Sequence, residues 1–318
     1  MMAMRLARAY TGKTKVVKFR NHFHGWHDYA AQESGLNSQT GIPKETLSTV
    51  VVMDPNIVAL EQLLSHDENI AAIILEPTGA HFGQLPLQNP VFLQDLRELT
   101  SKYGVILIMD EIITGFRISK GGTQERFRIL PDITTMAKIV GGGLPGGAVA
   151  GRTDIMDLIN SENASKNVTH PGTYHGNPLS ATAGIACLEL LSNEPINEMA
   201  DAMAERLKKG LINSLSKMEM PGHAYGIASI VHLAIGIECG CKAEICTAPH
   251  ADIANATETR GPYGTRASAF KLAMLNEGVD VMGGIGFMVS SAHRKEDIDR
   301  TIESFEKALR SLRNEALV

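Results

Sequence analysis

The fold of this chain is decided by the stretch Val105-Ile-Leu-Ile-Met-Asp110-Glu111, in which five apolar residues run directly into two carboxylates. An unbroken apolar run of this length is typical of a strand that is buried on both faces of a parallel sheet. Ligands bind such sheets at the carboxyl ends of the strands. Asp110 and Glu111 therefore mark the edge of the sheet where we expect a functional site.

Similar short runs of apolar and β-branched residues lie before this stretch and alternate with segments of helical periodicity. The predicted strands are residues 15–19, 49–52, 70–75 and 105–109, and the predicted helices are residues 57–65 and 90–103. Strands that alternate with helices form a mostly parallel sheet covered on both faces. We therefore expect a fold of the α/β class.

The second half of the chain has a different pattern. Residues 178–218 are helical almost throughout, with a break near 192–195. Beyond them, the sequence predicts one or two strands within 227–237, a strand over 286–290, and helices over 265–276 and 295–314. This order is typical of a smaller α+β domain. We expect a large domain at 1–195 and a small C-terminal domain at 196–318, since 318 residues are enough for two domains.

Composition and charge exclude several classes of protein. Hydrophobic residues make up 44% of the chain and charged residues 20%, as in globular proteins. The net charge is −5 and no dense run of Lys and Arg occurs, so neither nucleic acid nor a membrane surface is an expected partner. There is no apolar stretch of about 18 residues and no apolar core of a signal peptide. We therefore expect a cytoplasmic protein.

Four residues that bind metals in other proteins are clustered with the spacing C-x-C-x4-C-x3-H. They are Cys239, Cys241, Cys246 and His250. The spacing matches no common zinc knuckle or ribbon, and reduced cysteines are ordinary in a cytosolic protein. We therefore predict no metal site, and the role of this loop stays open.

Two segments match nucleotide-binding motifs only in part. Gly12-Lys13-Thr14 ends like a phosphate-binding loop, but Ala7 stands where the first glycine belongs and a predicted strand follows. The run Gly141-Gly-Gly-Leu-Pro145-Gly-Gly147 contains G-x-G-x-x-G, but a short apolar run follows it. A dinucleotide site would need a long helix there, with its N-terminus at the pyrophosphate. Neither a nucleoside triphosphatase nor an NAD-dependent oxidoreductase is favoured.

Lys138 stands at the end of the segment Pro131-Asp-Ile-Thr-Thr-Met-Ala-Lys138, just before the glycine run. We expect a lysine in this position to be poorly solvated. Desolvation lowers the pKa of an amine and favours the neutral form that condenses with an aldehyde. A Schiff-base lysine is one interpretation, and a surface lysine at a strand end is the alternative that spacing alone leaves open.

A polar turn, Gly172-Thr173-Tyr174-His175-Gly176-Asn177-Pro178, stands directly before the long helical segment. Thr173 and Asn177 are residue types that cap helices and form turns, so capping alone would account for them. Contact with a ligand is the other interpretation of this turn.

Five segments, taken in their order along the chain, resemble the class III aminotransferases, with the greatest likeness to the glutamate-1-semialdehyde 2,1-aminomutases of that family. The segments are Asn21-His-Phe23-His24-Gly25, Asp110-Glu111-Ile-Ile-Thr114-Gly115-Phe116-Arg117, residues 131–138, residues 141–145 and residues 172–178. The stretch from Asn276 to His293 fits the same family. The resemblance implies a pyridoxal-phosphate-dependent enzyme of fold type I that transfers the amino group of a small amino acid or semialdehyde. It also implies a homodimer with shared active sites.

The resemblance assigns the chemistry to two residues. Lys138 would hold pyridoxal 5'-phosphate as a Schiff base and, once freed, would act as the base that moves a proton between the substrate and the cofactor. Asp110 would pair with the pyridine nitrogen and keep it protonated, so that the ring accepts electrons from the substrate.

The remaining cofactor-binding positions are implied in the same way. Phe23 would stack on one face of the ring and Ile112 would pack on the other. His24 and Glu76 fall at positions near the cofactor in the family. Thr173 would reach the phosphate of the cofactor in the neighbouring subunit, which is why the resemblance implies an obligate dimer.

The chain departs from the family in two places. Relatives often carry Gly-Asn shortly after the Glu-Pro at residues 76–77, where this chain has Ala80-His81, so contacts with the substrate there are open. A loop of the Ser-Gly-Thr-Glu-Ala type, which binds the cofactor phosphate ahead of the first helix, is absent. The alternative prediction is therefore a catalytically impaired, truncated fold type I protein that acts as a structural or subunit-pairing module. The resemblance does not decide between an aminotransferase and an aminomutase.

Overall fold

The computed structural model of the protein describes residues 1–33, 39–79, 91–163, 165–236, 265–283 and 286–315. The helices are α1 Met2–Thr11, α2 Lys44–Leu47, α3 Ile57–His66, α4 Phe92–Tyr103, α5 Gly122–Phe127, α6 Thr153–Met156, α7 Pro178–Asn193, α8 Ile196–Lys217, α9 Thr265–Asn276 and α10 Lys295–Asn314, with short 3-10 helices at Lys138–Gly141 and Asp157–Asn160. The strands are β1 Lys15–Phe19, β2 Val50–Met53, β3 Ile70–Leu75, β4 Ile106–Asp110, β5 Ile133–Ala137, β6 Gly147–Gly151, β7 Gly222–Tyr225, β8 Ile230–Ile235 and β9 Gly286–Met288.

These elements form two compact units. The first contains the described residues of 1–79, 91–116 and 120–192. The second contains residues 117–119 and the described residues from 193 onwards. The chain thus changes unit near the break between α7 and α8.

The first unit is built on a six-stranded sheet with the order β2-β1-β3-β4-β5-β6. Strands β1 to β5 run parallel to their neighbours, and β6 runs antiparallel to β5. Every residue of β3 and β4 is buried, as expected for central strands that are covered on both faces. The predicted α/β class with a mostly parallel sheet is confirmed.

Local sequence signals explain where the helices of the first unit begin and end. Gly12 ends α1 with a φ of 69°, a left-handed conformation that glycine adopts without strain. The side chain of Asn56 caps α3 by accepting a hydrogen bond from the backbone N–H of Ala59 at 3.0 Å. Apolar residues of α1, such as Leu6, pack in one buried cluster with Ile108 of β4. These contacts fix α1 over the sheet.

Strand β4 extends one residue further than predicted. Asp110 is its last residue because it still pairs with Thr135 of β5. The exclusion of nucleotide-binding motifs is consistent with the structure, since β1 follows the residues 12–14 and β6 begins within the glycine run. Neither motif leads into the helix that it would need.

The second unit contains a three-stranded antiparallel sheet in the order β7-β8-β9. Its buried cluster combines side chains of α8, α9 and α10, including Leu211, Phe270 and Phe305, with Val231 of β8. Strand β7 was missed by the sequence patterns, because Gly-His-Ala-Tyr has a weak intrinsic preference for β structure and pairing with β8 stabilises it.

Within the described ranges, no helix combines the length and the apolarity that crossing a membrane requires. Some predictions concern residues outside those ranges and are not addressed by the structure. These residues are Ala80, His81, Cys239, Cys241, Cys246 and His250.

Candidate active site

A cavity of about 780 Å³ lies in the first unit at the carboxyl ends of β4 and β5. Its volume falls within the range of about 300 to 1,000 Å³ that is common for small-molecule sites. Apolar side chains such as Ile74, Met136 and Val149 form much of its wall. Asp110 is the only carboxylate among the described residues that line it. The cavity therefore lies where the sequence predicted a ligand.

Asp110 is 5% exposed and is held by three hydrogen bonds. Its Oδ2 lies 2.7 Å from Nδ1 of His24. Its Oδ1 accepts hydrogen bonds from the hydroxyl of Thr135 at 3.1 Å and from the backbone N–H of Ile112 at 3.2 Å. These donors fix both carboxylate oxygens at the edge of the cavity.

His24 is buried behind Asp110. Burial lowers the pKa of His24, and the hydrogen bond to Asp110 opposes that effect. A neutral imidazole must carry its proton on Nδ1 here, because an ionised carboxylate only accepts hydrogen bonds. Nε2 of His24 is buried, and no described residue hydrogen-bonds to it. His24 therefore acts on Asp110 as a neutral donor.

Phe23 and Glu76, two further residues of the predicted site, are hydrogen-bonded to each other. The backbone N–H of Phe23 donates to Oε1 of Glu76 at 2.5 Å. The backbone N–H of Glu76, directly after β3, donates to Nδ1 of His22 at 3.0 Å. Phe23 is half-buried and Glu76 is buried, and neither side chain lines the cavity. Ile112 does line it.

Lys138 follows β5 and begins a 3-10 helix with a φ of 52°. Positive φ is uncommon for residues other than glycine and clusters at functional sites. Ala137 and Val140 line the cavity, but Lys138 does not, and its side chain is exposed. The expectation that Lys138 is poorly solvated is therefore wrong for this structure. Strand β5 ends at Ala137, so the lysine belongs to the exposed turn after it.

The polar turn before α7 divides its residues between two roles. Oδ1 of Asn177 accepts hydrogen bonds from the backbone N–H groups of Leu179 at 3.0 Å and Ser180 at 3.3 Å, so Asn177 caps the helix as its residue type predicted. Thr173 is exposed and does not line the cavity, whereas Tyr174, next to it, does.

Glu111 belongs to a different part of the structure, although it is adjacent to Asp110 in sequence. Its Oε2 accepts hydrogen bonds from the backbone N–H of Thr123 at 2.6 Å and from the hydroxyl of Thr114 at 3.1 Å. Oε1 accepts from the side chain of Gln124 at 3.1 Å. Glu111 therefore holds the first turn of α5 and does not line the cavity, whereas Asp110 does.

Sequence reasoning missed three residues of this site. Thr135 could be found only by aligning β5 with β4, since it contacts Asp110 across the two strands. His170 and His175 line the cavity with ring centroids 4.3 Å apart. A Cβ on Gly172 would lie 2.2 Å from Nε2 of His175, so a larger residue there would displace the His175 ring. The His-x-Gly-x-x-His spacing is the only signal that the sequence offers for the pair.

Comparison with known proteins identifies the family. The pattern of the family described as Aminotransferase class-III matches residues 1–309. The chain belongs to the class III aminotransferases. The resemblance seen in the sequence is thereby confirmed.

Individual class III relatives agree with this assignment. The glutamate-1-semialdehyde 2,1-aminomutase of Sulfolobus acidocaldarius is 35% identical over 323 residues, covering 98% of this chain and 73% of that protein. The enzyme of the same name from Thermomicrobium roseum is 39% identical over 320 residues, covering 97% and 70%. An omega-transaminase structure from Sphaerobacter thermophilus matches with a TM-score of 0.84 and 27% identity, over 98% of this chain and 72% of that one. Fold type I is therefore confirmed.

Class III aminotransferases depend on pyridoxal 5'-phosphate, and the chain is a pyridoxal-phosphate-dependent enzyme of amino-group transfer. Its cavity fits that cofactor. A buried carboxylate supported only by neutral donors suits a protonated ring nitrogen, and apolar walls suit an aromatic ring. Gly146 also leaves room that a side chain would fill, because a Cβ there would lie 3.3 Å from Cα of Gly141.

Proposed function

We propose that the chain transfers the amino group of a small amino acid or semialdehyde, with Lys138 as the residue that binds the cofactor covalently. The observation that carries the proposal is Asp110, a buried carboxylate at the edge of an apolar cavity in a class III aminotransferase. When bound, pyridoxal phosphate supplies an electron sink for the charge left when the Cα–H bond of the substrate breaks. The residues of the chain must position that sink and move the proton.

Asp110 holds a proton on the ring nitrogen in this proposal. Its carboxylate is fixed by neutral His24, by Thr135 and by the backbone N–H of Ile112, so none of these three donors brings a positive charge to it. A cation placed against it gains a charge-assisted hydrogen bond of about twice the strength of a neutral one. His24 keeps Asp110 in place, and its Nδ1 donates to the oxygen that Thr135 does not contact.

Lys138 moves the proton. In this role its Nζ would accept the proton released from Cα of the substrate and would later return it; an aminotransferase and an aminomutase share this role and differ in where the amino group ends. Support comes from its place in the chain, directly after β5 and between the cavity residues Ala137 and Val140. Its side chain is exposed in the single chain.

The other residues orient the ring. Phe23 and Ile112 would pack on its two faces, and Glu76 holds the backbone of Phe23 through a hydrogen bond. Thr173 donates to the phosphate held by the partner subunit, so the working enzyme is a homodimer with shared active sites. The exposed apolar residues of α7 support that assembly, since Leu179 is 72% and Ile185 is 59% exposed in the single chain.

The test uses the 318-residue chain with added pyridoxal phosphate. We expect the absorption band of lysine-bound cofactor, and borohydride should convert the adduct to a stable secondary amine that peptide mass spectrometry finds at Lys138. Lys138→Ala should abolish both signals. The matched control is Lys102→Ala, which removes an exposed lysine paired with Glu61 and should change neither.

Two outcomes count against the proposal. A reduced adduct on another lysine would assign the covalent role elsewhere. Absence of any adduct, together with a stable dimer in sedimentation experiments, would favour the structural or subunit-pairing module. The substrate question needs a second assay, in which glutamate-1-semialdehyde and small amino acids are compared for isomerisation and for release of a keto compound. The names of the relatives make isomerisation the expected outcome.

A further inference from the structure

Lys18 lies in the interior of the first unit and takes no part in the chemistry proposed above. It belongs to β1 and is fully buried. Its Nζ donates hydrogen bonds to the backbone carbonyls of Ala30 at 2.9 Å and Gln32 at 2.7 Å. A buried ammonium is costly to desolvate, so these two carbonyls are the acceptors that stabilise it. The arrangement connects a rigid strand to the chain segment that follows it.

That segment, residues 20–33, is here named the His24 loop. It leaves β1 after Phe19 and closes on itself through a hydrogen bond from the N–H of Asn21 to the carbonyl of Glu33 at 2.9 Å. Near its start it carries His24 to Asp110, and near its end it carries the two carbonyls that Lys18 holds. The hydrogen bond from Phe23 to Glu76 also holds the start of the loop, and Arg8 lies 4.7 Å from the ring of Tyr29 near its end. The two hydrogen bonds of Lys18 join the end of the loop to β1.

We propose that Lys18 is a positioning residue that holds the His24 loop so that His24 supports Asp110. This inference rests on the proposed function of Asp110 as the partner of the cofactor ring. Lys18 touches neither the cavity nor the reacting atoms, and it acts only through the loop. Without the clamp, the loop end is free to move away from β1, and the 2.7 Å contact between His24 and Asp110 loses one of its supports.

The clamp should depend on pH. Burial lowers the pKa of Lys18 from 10.5 to about 8, and the charge of Glu76 opposes this effect. Glu76 and His24 are the ionisable groups that interact with it electrostatically. If the loop opened, Lys18 would regain water and a pKa closer to 10.5, so opening would take up a proton between about pH 8 and 10.5. Raising the pH through this window therefore favours the closed loop, in which the amine keeps its two carbonyl acceptors.

Global stability responds in the same direction. The pKa of Lys18 is lower in the folded chain than in the unfolded chain, so between about pH 8 and 10.5 the unfolded chain binds more protons. Titration of Lys18 therefore increases the stability of the fold as pH rises through this window. The His24 loop is expected to tighten over the same window.

Hydrogen exchange of the chain without cofactor tests the clamp directly. The amides of Asn21, Phe23 and Ala30 are hydrogen-bonded and report on the loop. After correction for intrinsic rates, we expect their protection to rise about tenfold between about pH 8 and about pH 9.5, because the closed loop binds the proton of Lys18 less tightly than the open loop. Helix α3 serves as the internal reference. Lys18→Met should remove the protection at every pH.

Matched variants make the result interpretable. Lys15→Met removes a half-exposed lysine from the same strand, paired with Asp67, and should keep the wild-type profile. Lys18→Arg keeps a charge at all these pH values, so its loop protection should not rise with pH. Loop protection that is unchanged in Lys18→Met, or wild-type protection that does not rise above about pH 8, would overturn the clamp.

A second readout addresses the link to Asp110. In the cofactor-loaded chain, we expect Lys18→Met to lower kcat and to change the cofactor absorption spectrum and its pH profile, and Lys15→Met to change none of them. If Lys18→Met loosens the loop but leaves the spectrum and its pH profile unchanged, the positioning role is refuted. The exchange measurement needs no cofactor, so failure of Lys138 to bind the cofactor would leave the clamp result intact.

Discussion

Asp110 and Asp132 are two buried carboxylates that lie at opposite ends of two neighbouring parallel strands, β4 and β5. Asp132 precedes β5 and accepts hydrogen bonds from Arg97 at 3.0 Å, Arg152 at 2.9 Å and a backbone N–H. Asp110 ends β4, has only neutral donors, and faces the cavity. A carboxylate already paired with two guanidinium groups has no capacity for a ligand. The comparison shows that the hydrogen-bond partners of a buried acid, more than its burial, indicate whether the acid is available to a ligand or stabilises the fold.

The largest expected effect comes from removing the charge of Asp110. Asp110→Asn keeps the size of the side chain and an oxygen acceptor, but the protonated ring nitrogen loses its counter-charge. We expect kcat/KM for amino transfer to fall about a thousandfold, while stability changes by less than about 1 kcal/mol. Steady-state kinetics and urea unfolding measure the two quantities. A loss of activity below about tenfold would show that Asp110 is not the partner of the ring.

The same substitution at Asp132 should have the reverse result. Asp132→Asn leaves Arg97 and Arg152 without their shared carboxylate, and Arg97 is largely buried. Because Arg152 is half exposed, we expect a loss of only about 2 kcal/mol of stability, with kcat per folded molecule unchanged. Asp154→Asn removes the exposed partner of Arg152 and should cost less. If Asp132→Asn and Asp154→Asn lost equal amounts of stability, the burial of Asp132 would not make its ion pairs more important to the fold than the exposed pair.

Much of the sheet could be predicted because apolar strands and amphipathic helices alternate visibly in the sequence. The site could be predicted only to the level of a strand end. Asp110 and Glu111 are adjacent and chemically alike, and nothing local separates them. Their roles differ because Glu111 meets the backbone N–H of Thr123 at the start of α5, a contact that depends on the path of the chain twelve residues later.

The lysines show the same limit more clearly. Desolvation was predicted for Lys138, which is exposed, whereas Lys18, for which it was not predicted, is fully buried. Strand β1 begins and nearly ends with lysine, so its sequence suggests partial exposure. Burial of Lys18 results from β1 lying between β2 and β3 and from the His24 loop folding against it. Neither the strand order nor the closure of that loop is encoded in a local pattern.

The smallest expected effect is a difference in acid-induced loss of stability between the two ends of the strands, one near Asp110 and the other near Asp132. Burial lowers the pKa of His27, within the His24 loop, to about 4. Its folded pKa is thus below the unfolded value of 6.5, so the unfolded chain binds more protons between these values. The stability that neutral His27 contributes is present above about pH 6.5 and is lost as pH falls towards 4.

Since His27 is partly exposed, we expect its share of this acid loss to be only about 1 kcal/mol. His24 adds to the loss in the same direction, because burial also lowers its pKa. His27→Gln should therefore flatten, without abolishing, the fall in urea midpoint between about pH 7 and about pH 4.5. His66→Gln, on an exposed residue of α3, should keep the wild-type slope. If His27→Gln and His66→Gln gave the same slope of urea midpoint against pH, the acid sensitivity would have to originate outside His27. The carboxyl ends of the strands would then not differ in acid sensitivity from the ends near Asp132.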